Sequence, residues 1–339
     1  MPASRPRVLA FLMRFGIQCS RARATQDPSF CRMNLYARLD QATVIESPFP
    51  HLVLDDALDP AFADALLAEM PAMEVLTQGA PPGSNQRFSL SAALSLKDDR
   101  VSAKWRELVE ESLSQPFLDR LLTLFKPHIV RELPEFVQRM GDLNQLRAVL
   151  RYTPEHVPGT VGLDAQICIN TPALEAGTTV KGPHLDITDK LFIGLLYFRH
   201  AGDESQGANL EFYDIAEQDP LFDCNRCLAR ERVTLLRTMP YRHNRLVLML
   251  NTPRALHGVS PRAATPHARY FLNLVAVMND PVFTVRCEPP PPPPEPAPAT
   301  LPPKPKKAPK PPKPPKAVKP AKPRHWLKRW WRKVRGKPV

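Results

Sequence analysis

Between Leu146 and Val277 no stretch carries helically spaced apolar residues, and this limits what the chain can become. Short runs rich in Leu, Ile, Val, Phe and Tyr recur at 146–152, 165–170, 191–199, 209–213, 232–238, 245–250, 255–259 and 269–277, with Gly, Pro, Asn and Asp clusters between them. Parallel strands need long crossovers, usually helices, so parallel winding is disfavoured here. Around eight such strands fit two sheets closed on each other, a jelly-roll or cupin-like barrel.

The stretch from about 60 to 140 reads differently. Asp59-Pro60 is an N-cap followed by proline at the first helical position. Phe62, Leu66 and Met70 then recur at helical spacing. Trp105, Leu108, Val109 and Leu113 mark a second helix, and Phe117, Leu121, Leu124 and Phe125 a third. A fourth carries Ile129, Val130 and Leu133 and meets Pro134. The fold class expected is α+β: mainly helical support over 46–145 and a β core over 146–287, the two together forming one domain. Ahead of it, Pro48-Phe49-Pro50-His51-Leu52-Val53-Leu54-Asp55-Asp56 predicts a short strand.

Charge separates the ends from this body. The net charge is +12, yet residues 288–339 hold fifteen Lys/Arg against two Glu, so the rest of the chain is near neutral. Residues 288–323 are a Pro/Lys-rich linker with six consecutive prolines, a composition that cannot pack a core and reads as disordered. Residues 324–339 predict a basic amphipathic helix, with Trp326, Trp330 and Val334 on one side and Arg324, Lys328, Arg329, Arg332 and Lys333 mostly on the other. Tryptophans among cations suit an anionic membrane or other polyanion; nucleic acid is a weaker alternative, and a solvated tail the bland one. Residues 1–45 form a basic arm expected to be disordered, with Met33 as an alternative start. No secretory signal or membrane-spanning run is recognisable, and six cysteines are too few for a disulfide scaffold. The expected location is cytoplasmic, peripheral at the inner membrane face if the tail binds there. Cys224-Asn225-Arg226-Cys227 is one CxxC without a second pair, read as a loop with incidental thiols.

The candidate chemistry lies in His184-Leu185-Asp186, which begins one strand, and in His257 on a late strand able to run beside it. Residues i and i+2 of a strand share a face, so His184 and Asp186 can meet one metal ion with His257 as third ligand. Arg269 opens the next strand, where a buried guanidinium needs an anion. Tyr197, on the strand after His184-Leu185-Asp186, can point its hydroxyl into the same cavity, or it is a core tyrosine. Arg262 and His267 compete for these roles by position, but Arg262 follows Pro261 in a loop, which favours Arg269. His200 and His243 read as loop histidines, and Asn170 and Asn251 as residues that can line the pocket.

In order and spacing, His184-Leu185-Asp186, Gly207-Ala208-Asn209-Leu210-Glu211-Phe212, His257-Gly258-Val259 and Arg269-Tyr270-Phe271-Leu272-Asn273 resemble the Fe(II)/2-oxoglutarate-dependent dioxygenase superfamily, in particular its prolyl-hydroxylase-like bacterial branch. The resemblance covers about 46–286 and includes the opening Pro48-to-Asp55 stretch. It implies a double-stranded β-helix core, Fe(II) on His184, Asp186 and His257, and 2-oxoglutarate with its distal carboxylate on Arg269, helped by Tyr197. O2 takes the remaining metal position, and turnover yields succinate, CO2 and a hydroxylated substrate. Because Asp186 is present, the halogenase variant that lacks this carboxylate is not implied. Relatives acting on proline or lysine raise the idea that the Pro/Lys-rich run is itself a substrate. The rival reading is a catalytically silent jelly-roll binding module tethered by its tail. Substrate and oligomeric state are not legible.

Overall fold

The computed structural model describes residues 38–289 apart from 219. The Met33 start, residues 1–37 of the N-terminal arm, most of the Pro/Lys-rich linker and the basic Trp-rich helix lie outside the described residues. Residues 38–45, expected to be disordered, are instead ordered, with Leu39 buried in the core and Ile45 exchanging backbone hydrogen bonds with His51.

The described chain is a mixture of helices and two mainly antiparallel sheets. The strands are β1 His51–Leu54, β2 Arg87–Leu90, β3 Arg147–Leu150, β4 Thr160–Asn170, β5 Lys190–Phe198, β6 Leu210–Ile215, β7 Val233–Met239, β8 Leu246–Leu250, β9 His257–Val259 and β10 Arg269–Val277. The larger sheet has seven strands in the order β1-β8-β5-β10-β4-β2, with β3 also on β4. Strands β2 and β3 divide one edge of β4: Arg87–Leu90 pair with Ile167–Asn170, and Arg147–Leu150 run parallel to Thr160–Leu163. The smaller sheet is β7-β6-β9. From β4 onward the chain crosses repeatedly between the sheets, with β4, β5, β8 and β10 in the larger and β6, β7 and β9 in the smaller.

Side-chain alternation gives the larger sheet two apolar faces. On β5, Ile193, Leu195 and Tyr197 join Phe49, Cys168, Phe212, Met249 and Phe271 in one buried cluster between the sheets. Phe192, Leu196 and Phe198 of the same strand join the other cluster, with the helices. This double burial explains why β5 reads as a nearly unbroken apolar run. Among the described residues, four helices of seven residues or more precede β3: α1 Pro60–Ala68, α2 Ala103–Ser112, α3 Gln115–Glu132 and α4 Pro134–Met140. Asp59 caps α1 by accepting from the Phe62 N–H at 3.1 Å. Trp105 of α2 packs edge-on against Phe198, with centroids 4.9 Å apart, and its indole N–H donates to Leu66 O. Phe125 of α3 meets Phe192 at 5.3 Å.

Three further expectations need correction. The third and fourth predicted helices are largely one, because α3 runs through Pro127 to Glu132. Pro134 opens a helix instead of ending one, as its missing N–H costs nothing in a first turn. His184-Leu185-Asp186 does not begin a strand of any length: β5 starts at Lys190, and His184 forms an isolated bridge ahead of it. Strand β2 has no counterpart in the expected elements. Its four residues alternate, with Phe88 and Leu90 packed against the core and Arg87 and Ser89 on the other face, but two apolar positions are too short a pattern to mark a strand.

Candidate metal centre and anion pocket

The smaller sheet continues past β9 through short bridges. His184 and His257 exchange both backbone hydrogen bonds, His184 N to His257 O at 2.8 Å and His257 N to His184 O at 3.0 Å. Directly opposed residues in an antiparallel pair share a face, so both imidazoles stand on one side. Their ring centroids are 4.4 Å apart. Two residues further along β9, Val259 N donates to Lys181 O. Three residues thus span two, a bulge at Gly182-Pro183 that brings Lys181 to the face of His184. The backbones approach so closely here that a Cβ on Gly258 would lie 2.9 Å from the Gly182 carbonyl. On its other side His184 bridges to Cys227, and Leu185 N donates to Arg226 O. The CxxC loop, read as carrying incidental thiols, contributes through its backbone: it forms the outer edge of the segment that carries His184.

Asp186 completes a triad. Its Oδ1 lies 3.8 Å from His184 Nε2 and its Oδ2 3.9 Å from His257 Nε2. One potential ligand atom from each residue lies within 4.8 Å of the others, and among the described residues this is the one group of three that could hold a metal ion. The donor set fits a divalent cation on further grounds. His184 Nδ1 is 2.8 Å from Gly182 O, and His257 Nδ1 is 3.0 Å from Ala255 O. A carbonyl only accepts, so each Nδ1 carries the proton and each Nε2 keeps its lone pair for the centre. Burial holds both imidazoles below their ordinary pKa, most strongly at His184, where the neighbouring His257 adds to the effect. Burial alone would raise the Asp186 carboxyl; the Lys190 ammonium and the two imidazoles outweigh it and hold the group ionised. Lys190 Nζ sits 3.0 Å from Asp186 Oδ2. The turn after Asp186 is pinned by Asn251, fully buried, whose Nδ2 donates to Ile187 O and Lys190 O, each at 3.0 Å.

A second set of groups lies between the sheets. Arg269 is 3% exposed. Its Nε donates to Ala208 O at 3.0 Å and one Nη to Asn170 Oδ1 at 3.2 Å, while the other Nη has no partner. The Tyr197 hydroxyl and Asn170 Nδ2 are likewise buried and unpartnered. The guanidinium lies 4.9 Å from the Tyr197 and Phe271 ring centres. Burial raises the Tyr197 phenol, and Arg269 opposes this without meeting hydrogen-bond geometry to the hydroxyl. A buried donor without an acceptor costs about 1–3 kcal/mol. Three such donors around an arginine with no carboxylate partner make a pocket complementary to an anion. Arg262 is different: its terminal nitrogens go to His267 O at 2.8 Å and Thr171 O at 3.4 Å, with Asp203 3.9 Å away.

The structure therefore brings together His184, Asp186 and His257, and separately Arg269, Tyr197 and Asn170. Asn251 lies behind the metal ligands, and His200 stacks on His267 in the loops at 5.2 Å. Sequence reasoning missed Lys181, Lys190 and His51. His51 is fully buried beside Phe212, Nδ1 2.7 Å from Phe49 O and Nε2 unpartnered. Its inward position follows from the pairing of β1 with β8, which local sequence does not encode.

No protein-family model and no curated protein matches this chain. Solved structures similar to it include a prolyl 4-hydroxylase from Phytophthora capsici, at 17% identity and TM-score 0.42, covering 76% of this chain and 69% of that one. A Pseudomonas putida prolyl-4-hydroxylase is similar at 12% identity and TM-score 0.38, over 73% of this chain and 100% of that one. A non-haem α-ketoglutarate-dependent epimerase of nogalamycin biosynthesis is similar at 12% identity and TM-score 0.40, over 72% and 79%. At these values function has to be argued from the site itself.

Proposed function

We propose that this chain is an Fe(II)- and 2-oxoglutarate-dependent oxygenase that hydroxylates its substrate. The observation that carries the reading is the pairing of two unlike sites in one interior. Three convergent ligand atoms offer a metal one face, and a buried arginine with unpartnered donors around it offers a carboxylate its anchor. We read the two sheets and the chain's repeated crossing between them as a double-stranded β-helix, with α1–α4 as support behind the larger sheet.

In this reading His184, Asp186 and His257 hold Fe(II). The two Nδ1–H···O=C bonds fix each ring so that only Nε2 faces the ion. Lys190 and Asn251 orient the segment carrying Asp186. Arg269, Tyr197 and Asn170 bind the distal carboxylate of 2-oxoglutarate. Ile193, Leu195, Val247 and Met249 make the space between the sheets apolar and keep bulk water from it. Bound there, Fe(II) and 2-oxoglutarate supply dioxygen activation coupled to release of succinate and CO2.

A silent binding module is less well supported, since it has no use for three aligned ligand atoms or unpartnered donors at Arg269. The test is succinate release from 2-oxoglutarate. It is expected to require Fe(II) and to disappear in His184→Ala; release that survives this substitution defeats the reading.

A further inference from the structure

The charges around the triad do not balance. Lys190 pairs with Asp186, the carboxylate that a metal ion would also use. Lys181, half-buried, reaches the same face through the bulge at Gly182-Pro183. Arg226 lies in the turn just before Cys227, which bridges to His184; its φ is 62°, its buried Nε has no partner, and its charge acts on Lys181. Among the described residues no carboxylate forms an ion pair with Lys181 or Arg226. The nearby acids do not fill the gap. Asp223 Oδ1 accepts the backbone N–H groups of Asn225 and Cys227, and Asp189 makes no ion pair with any of the three cations. With Fe(II) on Asp186 the excess of positive charge grows, and the distal charge of 2-oxoglutarate is already matched by Arg269.

Resting on the oxygenase reading, we propose that the substrate carries an anionic group, a carboxylate, phosphate or sulfate, that docks against a cationic rim of Lys181, Lys190 and Arg226 beside the metal. Three fixed cations at one edge of the site attract such a group and hold its neighbouring carbon near the iron. They equally repel cationic substrates. The rim thus disfavours the chain's own Pro/Lys-rich run, whose lysines bring the wrong sign.

The experiment uses the full chain loaded with Mn(II) and 2-oxoglutarate. The probes are benzenesulfonate, benzenesulfonamide and benzylammonium, which share a ring and differ in charge. Proton line broadening by Mn(II) reports only probe held near the metal. Benzenesulfonate is expected to broaden saturably, with benzylammonium at least tenfold weaker. Lys181→Met should weaken the sulfonate about five- to tenfold, the weight of one half-buried charge a few ångströms away, and Lys181→Arg should restore it. Equal broadening by all three probes, or no change in Lys181→Met with Mn(II) still bound, overturns the proposal alone. Wild-type protein that binds neither Mn(II) nor 2-oxoglutarate overturns the oxygenase reading and this inference with it.

Discussion

Replacing Arg269 with Met keeps much of the side chain's apolar length and removes the charge. Three changes follow from its surroundings. Ala208 O and Asn170 Oδ1 each lose a donor, at about 1 kcal/mol apiece in stability. The stack on Tyr197 and Phe271 is retained in part by the thioether. The bound carboxylate loses the unpartnered Nη and its countercharge while staying buried. Truncating one member of a buried charged pair costs 2–5 kcal/mol or more. Taking about 3 kcal/mol, 2-oxoglutarate should bind about 150-fold more weakly. Titration calorimetry on Mn(II)-loaded protein measures this, with Mn(II) affinity and circular dichroism as controls for the triad and the fold. Arg269→Lys should fall between, because an ammonium keeps the charge and loses the planar fork. Arg269→Met protein that remains folded, holds Mn(II) and binds 2-oxoglutarate within about threefold of wild type refutes the anchor.

Asn251→Ala removes both hydrogen bonds that pin the turn after Asp186, so stability should fall by about 2 kcal/mol and Mn(II) affinity about 10- to 100-fold, read by chemical denaturation and calorimetry. Burial holds the His51 pKa below its ordinary value, so between the two values the unfolded chain binds the proton and the folded one does not. The stabilisation is complete above about pH 6.5 and fades as pH falls through the folded pKa. His51→Phe should flatten the stability-versus-pH slope there by up to about 1.4 kcal/mol per pH unit, and an unchanged slope counts against a buried neutral imidazole. No helix among the described residues is long and apolar enough to cross a membrane. If the basic Trp-rich tail binds an anionic surface, as proposed, deleting residues 290–339 should abolish sedimentation with anionic vesicles and leave succinate release intact.

Much of the site is legible locally, and what is not depends on register. His184-Leu185-Asp186, His257 and Arg269 announce themselves through residue type, order and the strands around them. Their convergence follows from alternation and antiparallel pairing, even though the first motif precedes its strand. Arg269 is distinguishable from Arg262 because one opens a strand and the other follows a proline. The residues that missed notice act across the sheet. Lys181 reaches the site through a one-residue bulge, and bulges leave little trace in a sequence with glycine and proline on every loop. Arg226 and Cys227 belong to a turn that pairs with His184 some forty residues away, and CxxC suggested only a thiol question. His51 faces inward because β1 adds to β8. Apolar spacing locates the helices, but it does not separate a proline that ends a helix from one that starts or interrupts it: Pro134 opens α4, and Pro127 is tolerated inside α3.

The most direct measurement is equilibrium binding of Mn(II) and 2-oxoglutarate to the full chain, compared with Asp186→Ala. The wild-type protein should bind one Mn(II) per chain and, only then, one 2-oxoglutarate. Asp186→Ala should lose both while staying folded, because Asp186 supplies the sole carboxylate of the triad. Metal binding that survives loss of Asp186, or 2-oxoglutarate binding that needs no metal, contradicts the proposed centre.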